Sequence, residues 1–163
     1  MAIGFRVAGR VSGPVGEVFE AVADPDTISK YFTTGGAKGR LESGSTVSWE
    51  FHDYPGAFEV DVIEVVPNER IVLQWPAYEA EPHNVSGGGQ DEGADADYKT
   101  TVTMTFREAD GGTMIEIAEE GWRDTDAARR GSYGNCQGWS QMLCCLKAWV
   151  EHGINLRDGM YKA

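Results

Sequence analysis

GNCQGWSQMLCCLKAWVEHGINL, residues 134–156, reads as one long amphipathic helix. Trp139, Leu143, Leu146 and Val150 recur at spacings of four, three and four. At about 100° per residue they fall on a single stripe. Met142, Trp149 and Ile154 widen that stripe, while Gln141, Lys147 and Glu151 stay off its centre. A stripe this apolar, carrying two tryptophans, needs a concave partner rather than one neighbouring helix. The preceding chain reads mostly as strands and can supply it.

Outward from the helix, period-two patterns dominate. Ile3 to Val11 alternates loosely and predicts a first strand. After a Ser12-Gly13-Pro14 turn, with Ser12 or Gly13 as the expected cap, Val15, Val18, Phe19 and Val22 have helical spacing. Asp24-Pro25 ends that helix, because the residue before proline avoids the helical basin. A second short helix is expected over Asp26 to Phe32. From Lys38 the chain alternates again through Val47, Trp49 and Phe51, then Phe58, Val60 and Val62, then Ile71, Leu73 and Trp75. Turns at Asp53-Tyr54-Pro55-Gly56 and Pro67-Asn68-Glu69 make this an antiparallel meander with one dry face. Residues 76–97, with Gly87-Gly88-Gly89 and five carboxylates between Glu79 and Asp95, read as a solvated acidic loop inside one domain spanning 1–163. Val102, Met104 and Phe106 form the next strand, and Met114 to Glu120 the last, with Ile115 and Ile117 on one face. Thr125 to Arg130 is expected to add a helical turn before the long helix starts near Ser132 to Asn135.

The whole chain sets the outer bounds. Its 163 residues suit one domain, able to bury roughly 70% of the unfolded surface. A net charge of -12 and a pI near 4.6 argue against nucleic-acid backbones and anionic membrane surfaces. Cys136, Cys144 and Cys145 are odd in number and all in the last helix, so free thiols in a reducing cytosol are expected. No early apolar run resembles a signal peptide, since Gly4, Arg6, Gly9 and Arg10 punctuate the start. No stretch approaches roughly 18 apolar residues, so the expectation is a cytoplasmic location without a membrane span.

The order of strand, two short helices, about six antiparallel strands and a long C-terminal helix resembles the START-like, Bet v 1-like (SRPBCC) helix-grip superfamily, an α+β fold. More narrowly, the chain resembles the family named after the activator of heat-shock-protein ATPase. The carriers are Val18-Phe19-Glu20-Ala21-Val22 with Ile28 to Phe32, Gly121-Trp122, and Gly138-Trp139 followed by Leu143. The resemblance spans nearly everything except residues 76–97. It implies a curved sheet of six or seven strands around the terminal helix, with a cavity between them. It also implies that any ATPase label describes a stimulated partner chaperone, since Gly87-Gly88-Gly89 lacks the Gly-Lys-Ser/Thr ending of a phosphate loop.

Closing a bent sheet over one helix commonly leaves a gap where ligands bind. Inward candidates to line it are Trp49, Phe51, Phe58, Leu73, Trp75, Met104, Phe106, Trp122, Trp139, Met142 and Leu143. Five tryptophans offer rigid walls with a few N–H donors, though the same rings could simply fill the core. The leading expectation is therefore a non-enzymatic module enclosing a hydrophobic molecule: lipid, aromatic or polyketide-like. No metal site or cofactor is expected, because His52, His83 and His152 share no ligand spacing. A second class is a cyclase- or hydrolase-like enzyme using Tyr31, Tyr133 or a carboxylate. Glu50, Glu59, Asp61, Glu64, Glu116, Glu119 and Glu120 lie on strands; most should face water, and one that faced inward would hold its proton more tightly. Which one cannot be read from spacing. A third class is a chaperone-interaction module, and a homodimer through a sheet edge is compatible with the pattern.

Overall fold

The computed structural model describes residues 2–54, 56–80 and 94–161. The elements run β1 (Ile3–Val11), α1 (Val15–Ala23), α2 (Pro25–Ile28), β2 (Gly36–Lys38), β3 (Thr46–Glu50), β4 (Phe58–Val66), β5 (Arg70–Glu79), β6 (Ala94–Ala109), β7 (Gly112–Trp122) and α3 (Asp126–His152). The strands make one antiparallel sheet in the order β1-β7-β6-β5-β4-β3-β2. With α3 laid against it, this is the helix-grip architecture expected from the sequence. Of the acidic loop, residues 81–93 lie outside the described residues, while its flanks extend β5 and open β6.

Register turns the alternation into a continuous apolar floor. Val7 pairs with Ile117, Ile117 with Met104, Met104 with Ile71, and Ile71 with Val65. Side chains on one face of adjacent strands touch in such rows, so five strands contribute to one stripe. Irregularities between Val62 and Glu64 and between Pro76 and Tyr78 add the local bending that curves a sheet around a helix.

The long helix begins at Asp126, not near Gly134, and stops at His152, not Leu156. Thr125 explains the start: its hydroxyl accepts the backbone N–H of Ala128 at 3.1 Å, so the expected separate turn is simply the first turn of α3. Gly153 explains the stop, with a left-handed φ of 64°. At the other end of the chain, α1 is preceded by Pro14 in the cap position without a side-chain cap, rather than by Ser12 or Gly13. The second short helix is also briefer than expected, ending at Ile28.

The first half of α3 is latched to the end of β5. The Ala80 N–H donates to the Ala127 carbonyl at 3.2 Å, and Arg130 Nε donates to the Ala80 carbonyl at 3.0 Å. Gly131 is what allows this approach, because a Cβ there would stand 1.9 Å from the Tyr78 carbonyl oxygen. Gly131→Ala is therefore expected to force helix and strand apart and lower unfolding free energy by about 3 kcal/mol, the upper end of overpacking costs. Urea denaturation measures it; a variant as stable as the parent contradicts the latch.

Candidate functional site

β7 carries its inward alternation one step further than the apolar residues suggest. Thr113, Ile115, Ile117 and Glu119 all face the interior, and Glu119 is fully buried. Along the sheet Glu119 lies level with Phe5 and Val102, and one pair further on Thr100 lies opposite Trp75. The carboxylate thus meets donors from two strands below it and from α3 above.

Four side chains donate to it. Oε1 accepts from Trp75 Nε1 at 2.8 Å, Thr100 Oγ1 at 2.7 Å and Asn135 Nδ2 at 3.1 Å. Oε2 accepts from Trp139 Nε1 at 2.9 Å and from Asn135 Nδ2 at 3.3 Å. A carboxylate offers about four lone-pair sites, so these contacts saturate it. Burial pushes the Glu119 carboxyl above the usual carboxylate range, and the donors from Trp75, Thr100, Trp139 and Asn135 pull it back without cancelling the rise. Since the folded state then holds the proton to higher pH than the unfolded chain, this group favours folding most below the unfolded pKa of about 4.3 and less as pH rises through its raised value.

Around this carboxylate the rings form a continuous chain. Trp75 stacks on Trp139 at 5.3 Å, Trp139 meets Phe32 at 5.6 Å, and Phe32 meets Trp49 edge-on at 5.9 Å. Phe58 contacts Trp75 and stacks on Phe51, each at 5.8 Å. Of the residues expected to line a cavity, Trp49, Leu73, Met104, Phe106, Trp139, Met142 and Leu143 are buried in the main core. Phe106 packs on Phe19, away from the tryptophans. Trp122 is separate again, in a small cluster with Ala77 and Ala128, its indole against Phe5. Phe51, Phe58 and Trp75 remain partly exposed. Between sheet and helix, then, side chains meet one another, and the accessible aromatic surface is a wall on β4, β5 and the residue after β3 rather than the whole set.

The Phe51 end of that wall is fastened by the chain after α3. Arg157 Nη1 and Nη2 donate to Asp53 Oδ2 and Oδ1 at 2.5 and 2.7 Å, and the guanidinium lies 5.4 Å from the Phe51 ring centroid. Burial pushes Asp53 up, but the hydrogen bonds and charge of Arg157 outweigh it and hold the carboxyl below its usual range.

The other candidates fall elsewhere. Tyr31 is buried and donates to the Ala21 carbonyl at 2.8 Å, while Tyr133 is exposed. Asp61 and Glu64 pair with Lys99 and Arg70, and Glu116 pairs with Arg6. Glu50, Glu59 and Glu120 are exposed. Among the described residues no cluster of His, Cys, Asp and Glu is placed to hold a metal, and no helix is long and apolar enough to cross a membrane. The sequence signal that could have found Glu119 was present: it continues the Ile115, Ile117 alternation.

A curved antiparallel sheet gripping a terminal helix, with an aromatic interior, defines a START-like helix-grip domain. The sequence model described as Activator of Hsp90 ATPase homolog 1-like protein matches residues 12–151, and the chain belongs to that family. No curated protein sequence matches significantly. Among solved structures, the chain is similar to protein SSP2350 from Staphylococcus saprophyticus, with 24% identity, 95% of this chain and 96% of that one covered, and a TM-score of 0.73. It is similar to an Aha1 from Colwellia psychrerythraea, solved as a dimer, with 17% identity, 93% and 98% coverage and a TM-score of 0.66. CalU16 from Micromonospora echinospora shares 19% identity over 95% and 78% of the chains, with a TM-score of 0.65. These likenesses are likenesses of fold.

Replacing Glu119 with Gln puts an amide NH2 against indole N–H donors. Glu119→Gln is expected to lower stability by about 2–4 kcal/mol, read as a Tm drop of about 2–4 °C per kcal/mol. A Tm within 2 °C of the parent, on the same scale, contradicts the network. For Asp53 the sign is opposite: its pairing with Arg157 contributes fully above the unfolded pKa of about 3.9 and is lost as pH falls through the lower folded value. The Tm gap between the parent and Asp53→Asn should accordingly close in acid; a gap that persists to pH ~2 contradicts the assignment.

Proposed function

We propose that this domain is a binding module for a flat hydrophobic molecule (lipid, aromatic or polyketide-like) that lies on the wall of Phe51, Phe58 and Trp75. One observation carries the reading. These rings pack against the main core yet stay partly exposed, while Trp49, Val60, Val62 and Leu73 are buried. Aromatic surface left reachable at the edge of a core is where apolar ligands gain contact area with little side-chain ordering. Glu119 supports this role by fixing the Trp75 and Trp139 indoles, so the wall is rigid before a ligand arrives.

An enzymatic reading draws on the same carboxyl, whose hold on its proton suits a general acid or base. Against it, all the acceptor capacity of Glu119 is used by Trp75, Thr100, Asn135 and Trp139. The carboxylate therefore has no oxygen left to offer a substrate, and a positioning role fits better.

Titration of intrinsic tryptophan fluorescence with a panel of fatty acids and polycyclic aromatics tests the module. A saturable response is expected, weakened about 3–10-fold by Phe58→Ala, the equivalent of roughly 1 kcal/mol of ring contact. Absence of any saturable response, or an unchanged affinity in Phe58→Ala, overturns the proposal.

A further inference from the structure

A recess lies outside the ring wall, where the chain after α2, the chain after β3 and the segment after α3 meet. Its volume is about 460 Å³, and its lining includes Lys30, Thr34, His52, Trp149 and Asn155. We propose that this groove is a binding site for an aryl carboxylate, with the ring on Trp149 and the carboxylate between Lys30, His52 and Asn155.

The partly exposed Trp149 indole provides a flat apolar platform. Lys30 Nζ stands 5.8 Å from the centroid of that ring. This is near the outer limit of a cation–π contact, so the ammonium gains more from an anion than from the ring. Among the described residues Lys30 makes no ion pair, and its charge reaches Asp24 only through space. His52 is oriented by Thr34, whose Oγ1 lies 2.5 Å from Nδ1. With the hydroxyl donating, the imidazole carries its proton on Nε2 and offers a second donor.

The third donor comes from a segment held in place. Asn155 Oδ1 accepts the backbone N–H groups of Arg157 at 3.0 Å and Asp158 at 3.2 Å, which leaves its NH2 to donate outward. Arg157 anchors the same segment through Asp53. Ser29 and Asp158 also border the groove. Three donors from three separate segments line one recess together with the Trp149 indole, a set that matches a planar ring bearing one carboxylate. The volume falls within the roughly 300–1,000 Å³ of small-molecule sites.

The site is independent of the ring wall, and one experiment separates the two. Uniformly labelled protein is titrated with 2-naphthoate and with its uncharged analogue 2-naphthamide, following the indole N–H resonances of Trp149 and Trp75. Naphthoate is expected to shift Trp149 saturably, with naphthamide at least tenfold weaker. Lys30→Met should reduce naphthoate to the level of the amide, while Phe58→Ala leaves it unchanged. Equal affinity for acid and amide, indifference to Lys30→Met, or shifts confined to Trp75 would overturn the assignment, the last outcome supporting the ring wall instead.

Discussion

A single buried carboxylate joins the two layers of this protein. Glu119 stands on β7 and takes hydrogen bonds from Trp75 and Thr100 on the sheet and from Asn135 and Trp139 on α3. Hydrophobic contact between sheet and helix is strong but undirected, and many rotations of an apolar rod in a trough give similar burial. A charged acceptor in a low-dielectric interior is different. Left without partners it costs several kcal/mol, so only the placement that brings all four donors together is tolerated. The network thereby selects one rotation and one depth for α3, and the Gly131 contact with Tyr78, one turn before Asn135, selects its distance from the sheet.

That constraint shapes what the surface can do. Because the indoles of Trp75 and Trp139 are held by their N–H groups, the Trp75 ring keeps its place beside Phe58. At the far end, Arg157 lies over Phe51 while pinned to Asp53, and the same segment presents Asn155 to the outer groove. Ring wall and groove are therefore built by the same strategy. In each, a charged group satisfied by neighbours immobilises an aromatic or a loop.

Much of the architecture was legible in residue order. The alternation of Val47 and Trp49, of Val60 and Val62, and of Ile115 and Ile117 marks strands whose inner faces the structure buries. Helix ends were less legible. Thr125 capping joined what read as two helical pieces, and Gly153 ended α3 before Ile154, which is exposed. Caps are single hydrogen bonds that periodicity does not register. The cavity-lining set divided for a related reason. Phe106 keeps the inward parity of Val102 and Met104, whereas Trp122 is out of step with Ile115, Ile117 and Glu119 and is buried past a register irregularity. The two sit over different parts of the trough, with Phe19 and Phe5 as neighbours.

What the sequence by itself determined is the sheet-and-rod architecture, because burial of alternate residues in strands and of a 3.6-residue stripe in a helix is a local, periodic requirement. What only the tertiary structure decided is which charged group belongs inside. Glu119 has the parity of Ile117, yet a carboxylate is admitted to a core only when donors surround it. Its donors lie 44, 19, 16 and 20 residues away, on elements whose approach no local pattern describes. Parity is written along the chain, but hydrogen-bond satisfaction exists only between distant parts of it.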